Sequence, residues 1–262
     1  MTGSSFAFDV LATDYDDRFE RSTLGTLMRQ AVRRRLDACF APGDRVLELN
    51  CGTGEDALYL ARRGVRVFAT DRSAAMIEIA RRKVENAGLA GAVETRQMAI
   101  EQLVADESLR HAPFDGALSN FGGLNCVADL TGVARGLSAQ LRHGARVVLC
   151  VMGPLVPWEW GWFLWRRQPR QAFRRLRPGG TPWRGLTIRY PSIRAVVRAF
   201  GADFRARRTG ALGVLLPPTY AEGWAARHRR LVRRLNRWER RVETWPPLTW
   251  LADHYLLELE RR

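Results

Sequence analysis

Lysine is nearly absent from this chain, Lys83 standing alone among 42 lysines and arginines. Its basicity is therefore carried by guanidinium groups, which stay charged and offer several donors to an anion at once. Cysteine is sparse as well. Cys39, Cys51, Cys126 and Cys150 lie far apart, with no C-x-x-C pair and no histidine cluster nearby. That excludes a disulfide scaffold or a recognisable zinc motif, and the expectation is free thiols in a cytoplasmic protein without a metal. Long hydrophobic runs are missing too: the longest, 147–165, is broken by Pro154, Pro157 and Glu159 and makes a poor membrane span. The first 17 residues are polar and acidic with scattered aromatics, so no secretory signal is expected there. Neither an internal repeat nor a low-complexity tail is visible.

What is present is unevenly placed. Residues 1–157 hold 19 basic and 19 acidic side chains, which cancel, whereas residues 158–250 hold 21 against 5. The last twelve hold 2 against 3, which completes the formal net charge of +15. All nine tryptophans fall within the same basic stretch. Two compositions share one chain, which at 262 residues and 46% hydrophobic content is long enough to bury a substantial core.

Between 41 and 150 short apolar runs alternate with helical periods, the pattern of βαβ units building a parallel sheet. Strands are expected at 45–49, 66–70, 92–97, 114–119 and 145–151, and helices at 56–63, 73–87 and 130–141, with Ser73 as an N-cap and Gly88 as a stop. A helix over 192–200, bounded by Pro191 and Gly201, a sixth strand over 204–216 and a final alternating strand over 254–260 complete the list. Two inserts interrupt it, at about 153–190 and 217–250.

The run Val46-Leu47-Glu48-Leu49-Asn50-Cys51-Gly52-Thr53-Gly54 passes from an apolar strand through a turn into a helix. Glycines belong where a backbone must lie against a ligand, and the helix start aims N–H groups at the turn. Asp71, 17 residues after Gly54, closes the second strand where a carboxylate can accept from a ribose diol. Gly52-x-Gly54-x-x-Ala57 also satisfies a permissive dinucleotide pattern, so an NAD-dependent oxidoreductase stays in view.

Over nearly its whole length the chain resembles the class I, Rossmann-like, S-adenosylmethionine (SAM)-dependent methyltransferases of the small-molecule type. Glu48 matches the acidic residue that opens the family's glycine loop, while Asn50 stands where a further glycine is usual. Met98-Ala99-Ile100-Glu101 matches the segment beside the adenine, and Asn120-Phe121-Gly122-Gly123-Leu124 the segment near the sulfonium and the acceptor. Phe8-Asp9-x-x-Ala12-x-x-Tyr15-Asp16-x-x-Phe19 resembles the segment that covers the methionine end in many of these enzymes. The resemblance implies an α/β fold: a seven-stranded, mostly parallel doubly wound sheet with an antiparallel last strand and inserts after strand five and between strands six and seven. It also implies a helical cap over 1–40 and a domain over 41–262. SAM is the implied cofactor, held by Tyr15, Glu48, Asn50, Gly52, Gly54, Asp71, Arg72, Met76, Ala99, Ile100 and Asn120. Plainer roles remain open for Glu48 as a turn cap, Asp71 as an N-cap, Tyr15 as packing and Cys51 as a small filler.

Methyl transfer from a sulfonium needs alignment and a dry pocket, and a base only for some acceptors. In the family topology the last strand begins at the cofactor face, which makes His254 and Tyr255 the catalytic candidates, a structural histidine being the plainer reading. His111, His143 and His228 are expected in solvent. The strand-four ending Asn-Phe lacks the Pro-Pro-Tyr/Phe continuation of amine-methylating enzymes, which favours an oxygen or carbon acceptor. The same topology puts both inserts over the substrate side. In the second, Trp224, Leu231, Leu235, Trp238 and Val242 recur at helical spacing, with arginines on the other side. Three readings compete for the inserts: a lid over a small hydrophobic acceptor, a peripheral contact with an anionic membrane, or a nucleic-acid surface, the last without a recognisable RNA-binding module.

Overall fold

The structure is a computed structural model that describes residues 6–12, 15, 16, 19, 21–104 and 106–262. Part of the expected 1–40 cap falls outside these residues, as does the side chain of His111.

Two helices come first, α1 (Phe6–Ala12) and α2 (Thr23–Cys39). Strand and helix then alternate through β1 (Arg45–Glu48), α3 (Glu55–Ala61), β2 (Arg66–Asp71), α4 (Ala74–Asn86) and β3 (Val93–Gln97). After β4 (Phe114–Ser119), α5 (Leu130–Gln140) and β5 (Leu141–Met152) comes the first insert, with α6 (Pro157–Trp165), α7 (Pro169–Ala172) and a hairpin of β6 (Thr181–Trp183) and β7 (Leu186–Ile188). The chain ends with α8 (Ile193–Phe200), β8 (Phe204–Leu212), α9 (Glu222–Arg227), α10 (Arg229–Val242), α11 (Pro246–Thr249) and β9 (His254–Arg261).

Seven strands form one sheet in the order β3-β2-β1-β4-β5-β9-β8, with β9 antiparallel to both neighbours and the others parallel. This is the expected doubly wound sheet. Val147 through Val151 are all buried because helices cover both faces of β5, hence its unbroken apolar run. On one face Met28, Val32, Leu60 and Ala80 pack beneath α2, α3 and α4; on the other Leu137, Val196, Phe200 and Phe204 pack beneath α5 and α8. Ser73 and Ser192 cap α4 and α8 by accepting from Met76 N and Ala195 N.

The β6/β7 hairpin was not foreseen, since its three-residue strands are too short for a period-2 signal. The sixth strand stops at Leu212 rather than 216 because the Glu239 carboxylate gathers the Gly213, Leu215 and Leu216 N–H groups at 2.7, 2.8 and 2.9 Å. These amides donate to one side chain instead of to a neighbouring strand.

The second insert does not roof the sheet's substrate side. Its α9 and α10 pack on α2 through a small cluster of Leu24, Leu216, Ala225 and Val232. Glu222 accepts from Thr23 N at 2.7 Å and Leu24 N at 2.9 Å, supplementing the Ser22 cap of α2. A carboxylate here satisfies two N–H groups that no helix turn can and faces the positive end of the helix dipole. Glu222→Ala should cost about 1–2 kcal/mol, seen in a thermal melt as a fall of roughly 2–8 °C; an unchanged melt would mean water replaces the carboxylate at no loss.

The expected face of α10 also needs correction. Val232 and Glu239 are its buried residues, while Leu231 and Trp238 are 44% and 56% exposed and lie on the arginine side.

Candidate functional site

The carboxyl ends of β1, β2 and β4 meet at one crevice, where open α/β sheets bind ligands. The backbone leaving β1 is fixed by Leu49 N donating to Leu118 O at 3.0 Å and Cys51 N to Thr70 O at 2.8 Å. It then turns through Gly52 (φ +53°) and Gly54 (φ +85°), both in the left-handed region. A Cβ on Gly52 would meet nothing within 4 Å, so this residue presents bare backbone to open space. At Gly54 a Cβ would stand 3.0 Å from that of Ala80, so this glycine lets α3 start against α4.

Asp71 is placed by this turn. Its Oδ2 accepts from Gly52 N at 3.0 Å and its Oδ1 from Ser73 N at 2.9 Å. Burial raises its pKa despite those two bonds. Glu48 is more extreme: it is 1% exposed and its Oε2 has no hydrogen-bond partner among the described residues. Burial, and then the nearby Asp56 carboxylate, push its pKa well above the ordinary value. An acid with a raised folded pKa contributes stability while protonated and loses it as pH climbs through that pKa. Without ligand, Glu48→Gln should therefore stabilise the protein by about 0.5–2 kcal/mol at pH 8, with a smaller gain at pH 5. A gain by calorimetry that is equal at both pH values would refute the assignment of a buried, unfavourable charge.

Asn50, the departure from the expected glycine, is explained by its neighbours. Its Nδ2 donates to Asn120 O at 2.5 Å and its Oδ1 accepts from Ser119 Oγ at 2.5 Å. Gly123 makes room for it: a Cβ there would fall 2.2 Å from the Asn50 amide carbon. The side chain thus ties the β1 loop to the end of β4.

These residues wall a cavity of about 590 Å3. Tyr15, Glu48, Asn50, Gly52 and Asp71 face it, and so do Arg72, Met76, Ile100 and Asn120. Gly54 and Ala99 do not; Gly54 packs on Ala80, and the Ala99 N–H is taken by Gln102 Oε1 at 2.7 Å. At the other end stand Phe121, Val127, Met152, Trp183, Ile188 and Tyr190, together with Gln171 and Arg174. The first insert supplies 171–190, and among the described residues the second supplies none. Phe8 of α1 also lines the cavity, its ring 5.4 Å from that of Trp183.

The N-terminal segment is tied to the loop by its acids. Asp16 accepts from Thr53 Oγ1 at 2.6 Å and pairs with Lys83 Nζ at 2.5 Å, and the same ammonium reaches Glu55 Oε1 at 2.8 Å. Asp9 takes a short hydrogen bond from Ser73 Oγ. The single lysine of the chain thus links α3, α4 and the segment across the crevice.

Neither His254 nor Tyr255 reaches the cavity. Strand alternation turns Tyr255 into the core, 1% exposed, where its hydroxyl donates to Pro191 O at 3.1 Å. His254 lies behind the Phe121 ring, edge-on at 5.8 Å, with Nδ1 3.2 Å from Asp253 Oδ2 but without hydrogen-bond alignment. Phe121 itself holds φ +45° and sits beneath the Arg29 guanidinium at 5.0 Å.

Sequence reasoning missed Arg29, which lines the cavity and forms a buried 2.5 Å pair with Asp56. It also missed Arg175, whose Nε donates to Glu159 Oε2 at 2.9 Å and whose Nη2 pairs with Asp253 Oδ1 at 2.5 Å. Burial works to raise the Asp253 pKa, but Arg175 and then His254 outweigh it and hold that carboxyl below the usual range. No local motif marks either arginine, because each finds its partner only in the fold.

All four cysteines are free; burial raises Cys126, which lines the cavity, to about 11. Among the described residues no group of three or more His, Cys, Asp or Glu could hold a metal ion.

Residues 46–144 match a family described as a methyltransferase domain. Over 157 residues the chain is 36% identical to a protein-L-isoaspartate O-methyltransferase of Methylorubrum extorquens (strain PA1), covering 59% of each. Over 158 residues it is 32% identical to a demethylmenaquinone methyltransferase of Clavibacter sepedonicus, covering 58% of this chain and 60% of that one. The chain therefore spans about three-fifths of the length of these two curated relatives. In fold it is similar to the geranyl diphosphate C-methyltransferase of Streptomyces coelicolor A3(2), solved with Mg2+, geranyl diphosphate and S-adenosyl-L-homocysteine, at a TM-score of 0.57 and 16% identity over 89% of this chain and 78% of that one.

Proposed function

Since residues 46–144 match a methyltransferase domain, we propose that the chain is a class I SAM-dependent methyltransferase that transfers a methyl group to an oxygen or carbon of a small hydrophobic molecule, natural-product or isoprenoid and lipid-like in character. The observation that carries this reading is a single cavity lined both by carboxylates and bare backbone from the loops after β1 and β2 and by the apolar side chains of Phe121, Met152, Trp183 and Ile188. Its volume is in the range of small-molecule sites. The names of relatives support the acceptor class, since they include demethylmenaquinone and 2-phytyl-1,4-naphthoquinone methyltransferases.

The residues present fit the cofactor. Glu48 offers an unpartnered buried oxygen, Gly52 leaves open space where a Cβ would stand, and Asp71 is oriented by two backbone N–H groups. In this reading Asp71 receives the ribose hydroxyls, while Met76 and Ile100 pack against the base. Glu48, Asn50 and Asn120 shape the loop side, with Arg72 at the rim, and Tyr15 and its cap exclude water. Gly54 and Ala99 serve at one remove, through the turn and the segment that carries Ile100. Bound there, SAM supplies an electrophilic methyl.

The protein's own contribution is orientation and desolvation. Phe121, Met152, Trp183 and Ile188 form the apolar wall against which an acceptor is aligned, and water excluded from such a site no longer competes for the methyl. Among the described residues no histidine or lysine lines the cavity, so the reading places the reaction on alignment and leaves His254 and Tyr255 as support for the wall.

Melting the protein with SAM or with NAD tests the ligand: SAM should raise the midpoint and NAD should not, and the reverse would make the chain an oxidoreductase. Labelled SAM incubated separately with lysate lipids, small molecules and RNA should label an organic-soluble product; label in RNA alone would overturn the acceptor class.

A further inference from the structure

The second insert carries strong charge that the cavity does not use. It holds eight arginines and three acids between residues 217 and 250, and all three acids are turned inward. Glu222 accepts from the start of α2, Glu239 from the backbone at 213–216, and Glu243 pairs with Arg34 and Arg35 of α2. Half of α10 is arginine, seven residues of fourteen, and among the described residues none of the seven forms an ion pair. The acids hold the insert to the body of the protein, and the arginines are left for something outside it.

Apolar groups share that outward surface. Leu231 and Trp238, about two turns apart along α10, are 44% and 56% exposed, and the Arg241 guanidinium lies 4.9 Å from the Trp238 ring. Arg234, Arg237, Arg241 and Trp238 wall a shallow groove of about 250 Å3. Trp245 and Trp250, at 59% and 49%, follow within one segment. At the entry to the insert, Tyr220 meets Trp162 and Phe163 of α6 at 5.8 and 5.1 Å, and α6 in turn exposes Leu164 and Trp165.

We infer that the outward face of α10 docks the protein on an anionic lipid bilayer. The phosphate groups of lipid headgroups complement unpaired arginines, and tryptophan rings settle at the boundary between headgroup and hydrocarbon. Leu231 decides between phosphate-bearing partners. A nucleic acid could stack a base on Trp238 and place phosphates on the arginines, but it offers an exposed leucine nothing, whereas a bilayer buries it. The helix is also short of the length a span requires, and no helix among the described residues is long and apolar enough to cross a membrane. It therefore lies on the surface. This docking goes beyond methyl transfer and stands without it.

Co-sedimentation of the full chain with vesicles tests the inference, using phosphatidylcholine alone or with about one-third phosphatidylglycerol, at roughly 0.05 and 0.5 M salt. The protein should prefer the anionic vesicles. Combining R234E, R237E and R241E should reduce that partition by roughly a hundredfold or more, from about fivefold for each arginine near the surface. Combining L231A and W238A should weaken binding chiefly at the higher salt, where the apolar part remains. Equal binding to both vesicle types, or undiminished binding by the arginine variant, would overturn the inference. So would tighter binding to a structured RNA than to vesicles, lost with the same three arginines. The melting shift with SAM, measured on each preparation, reports folding and separates this inference from the proposed function: vesicle binding without a SAM shift sinks only the latter.

Discussion

Arg175→Met is expected to destabilise the protein by about 3–5 kcal/mol, the range for removing one partner of a buried ion pair, and to lower its melting temperature by roughly 6–20 °C. Methionine keeps much of the length and fills the space, but every polar partner stays behind. Glu159 and Asp253 are 0% and 4% exposed; Asp253 would lose the Arg175 guanidinium at 2.5 Å, and Glu159 would keep only that of Arg174, at 3.0 Å. The Gly153 and Asp253 carbonyls, which accept from Nη1 at 3.1 and 2.9 Å, would lose a donor as well. Attraction inside the protein wins here only because the arrangement is complete; half of it is worse than none. Adding Glu159→Gln and Asp253→Asn should accordingly restore part of the loss, and a triple variant less stable than Arg175→Met would contradict that account.

The pH dependence has a definite sign. Asp253 has a depressed pKa, so its contribution is present above the ordinary carboxylate value and disappears as pH falls through the folded one. The deficit of Arg175→Met should therefore be largest near neutrality and shrink in acid. Arg175 also anchors the segment that lines the apolar end, since Gln171 and Arg174 flank it and face the cavity. In a variant that still folds at low temperature, the KM for an acceptor should rise more than the Kd for SAM; equal effects would mean that Arg175 supports the whole sheet edge rather than the insert.

Local chemistry was legible and partnership was not. The strands over 114–119 and the caps Ser73 and Ser192 follow from side-chain period and from an acceptor hydroxyl ahead of an apolar run, information held within a few residues. Glu48, Gly52 and Asp71 could be marked as candidates for the same reason, as each sits at or just after a strand end, and all three line the cavity. The face of α10 was misread because helical spacing identifies an apolar stripe but not what it faces. With Leu231 and Trp238 on the stripe, burial was the natural expectation; in the fold, Val232 and the carboxylate of Glu239 are the buried pair, because backbone amides at 213–216 need an acceptor. His254 failed for a related reason. Topology carries it to the correct edge of the sheet, yet Phe121, held at positive φ by the turn after β4, stands between it and the cavity.

Asp71→Ala should weaken SAM binding by roughly a hundredfold, a few kcal/mol, if its carboxylate makes two charge-assisted hydrogen bonds to the ribose. The ligand-free protein should behave differently. Burial already raises the pKa of Asp71, which means that the folded, ligand-free protein disfavours its charge, so loss of the carboxylate should leave the melting temperature nearly unchanged once the two backbone N–H groups find water. That contrast separates a ligand group from a structural one. A plain N-cap would show the opposite pattern, with a lower melting temperature and an intact affinity by calorimetry. Asp71→Asn sharpens the comparison, because the amide oxygen still accepts from Ser73 N while the charge is gone. If the charge holds the ribose, Asn should bind SAM nearly as poorly as Ala; if Asp71 acts only by capping at Ser73 N, Asn should bind nearly as well as the native carboxylate.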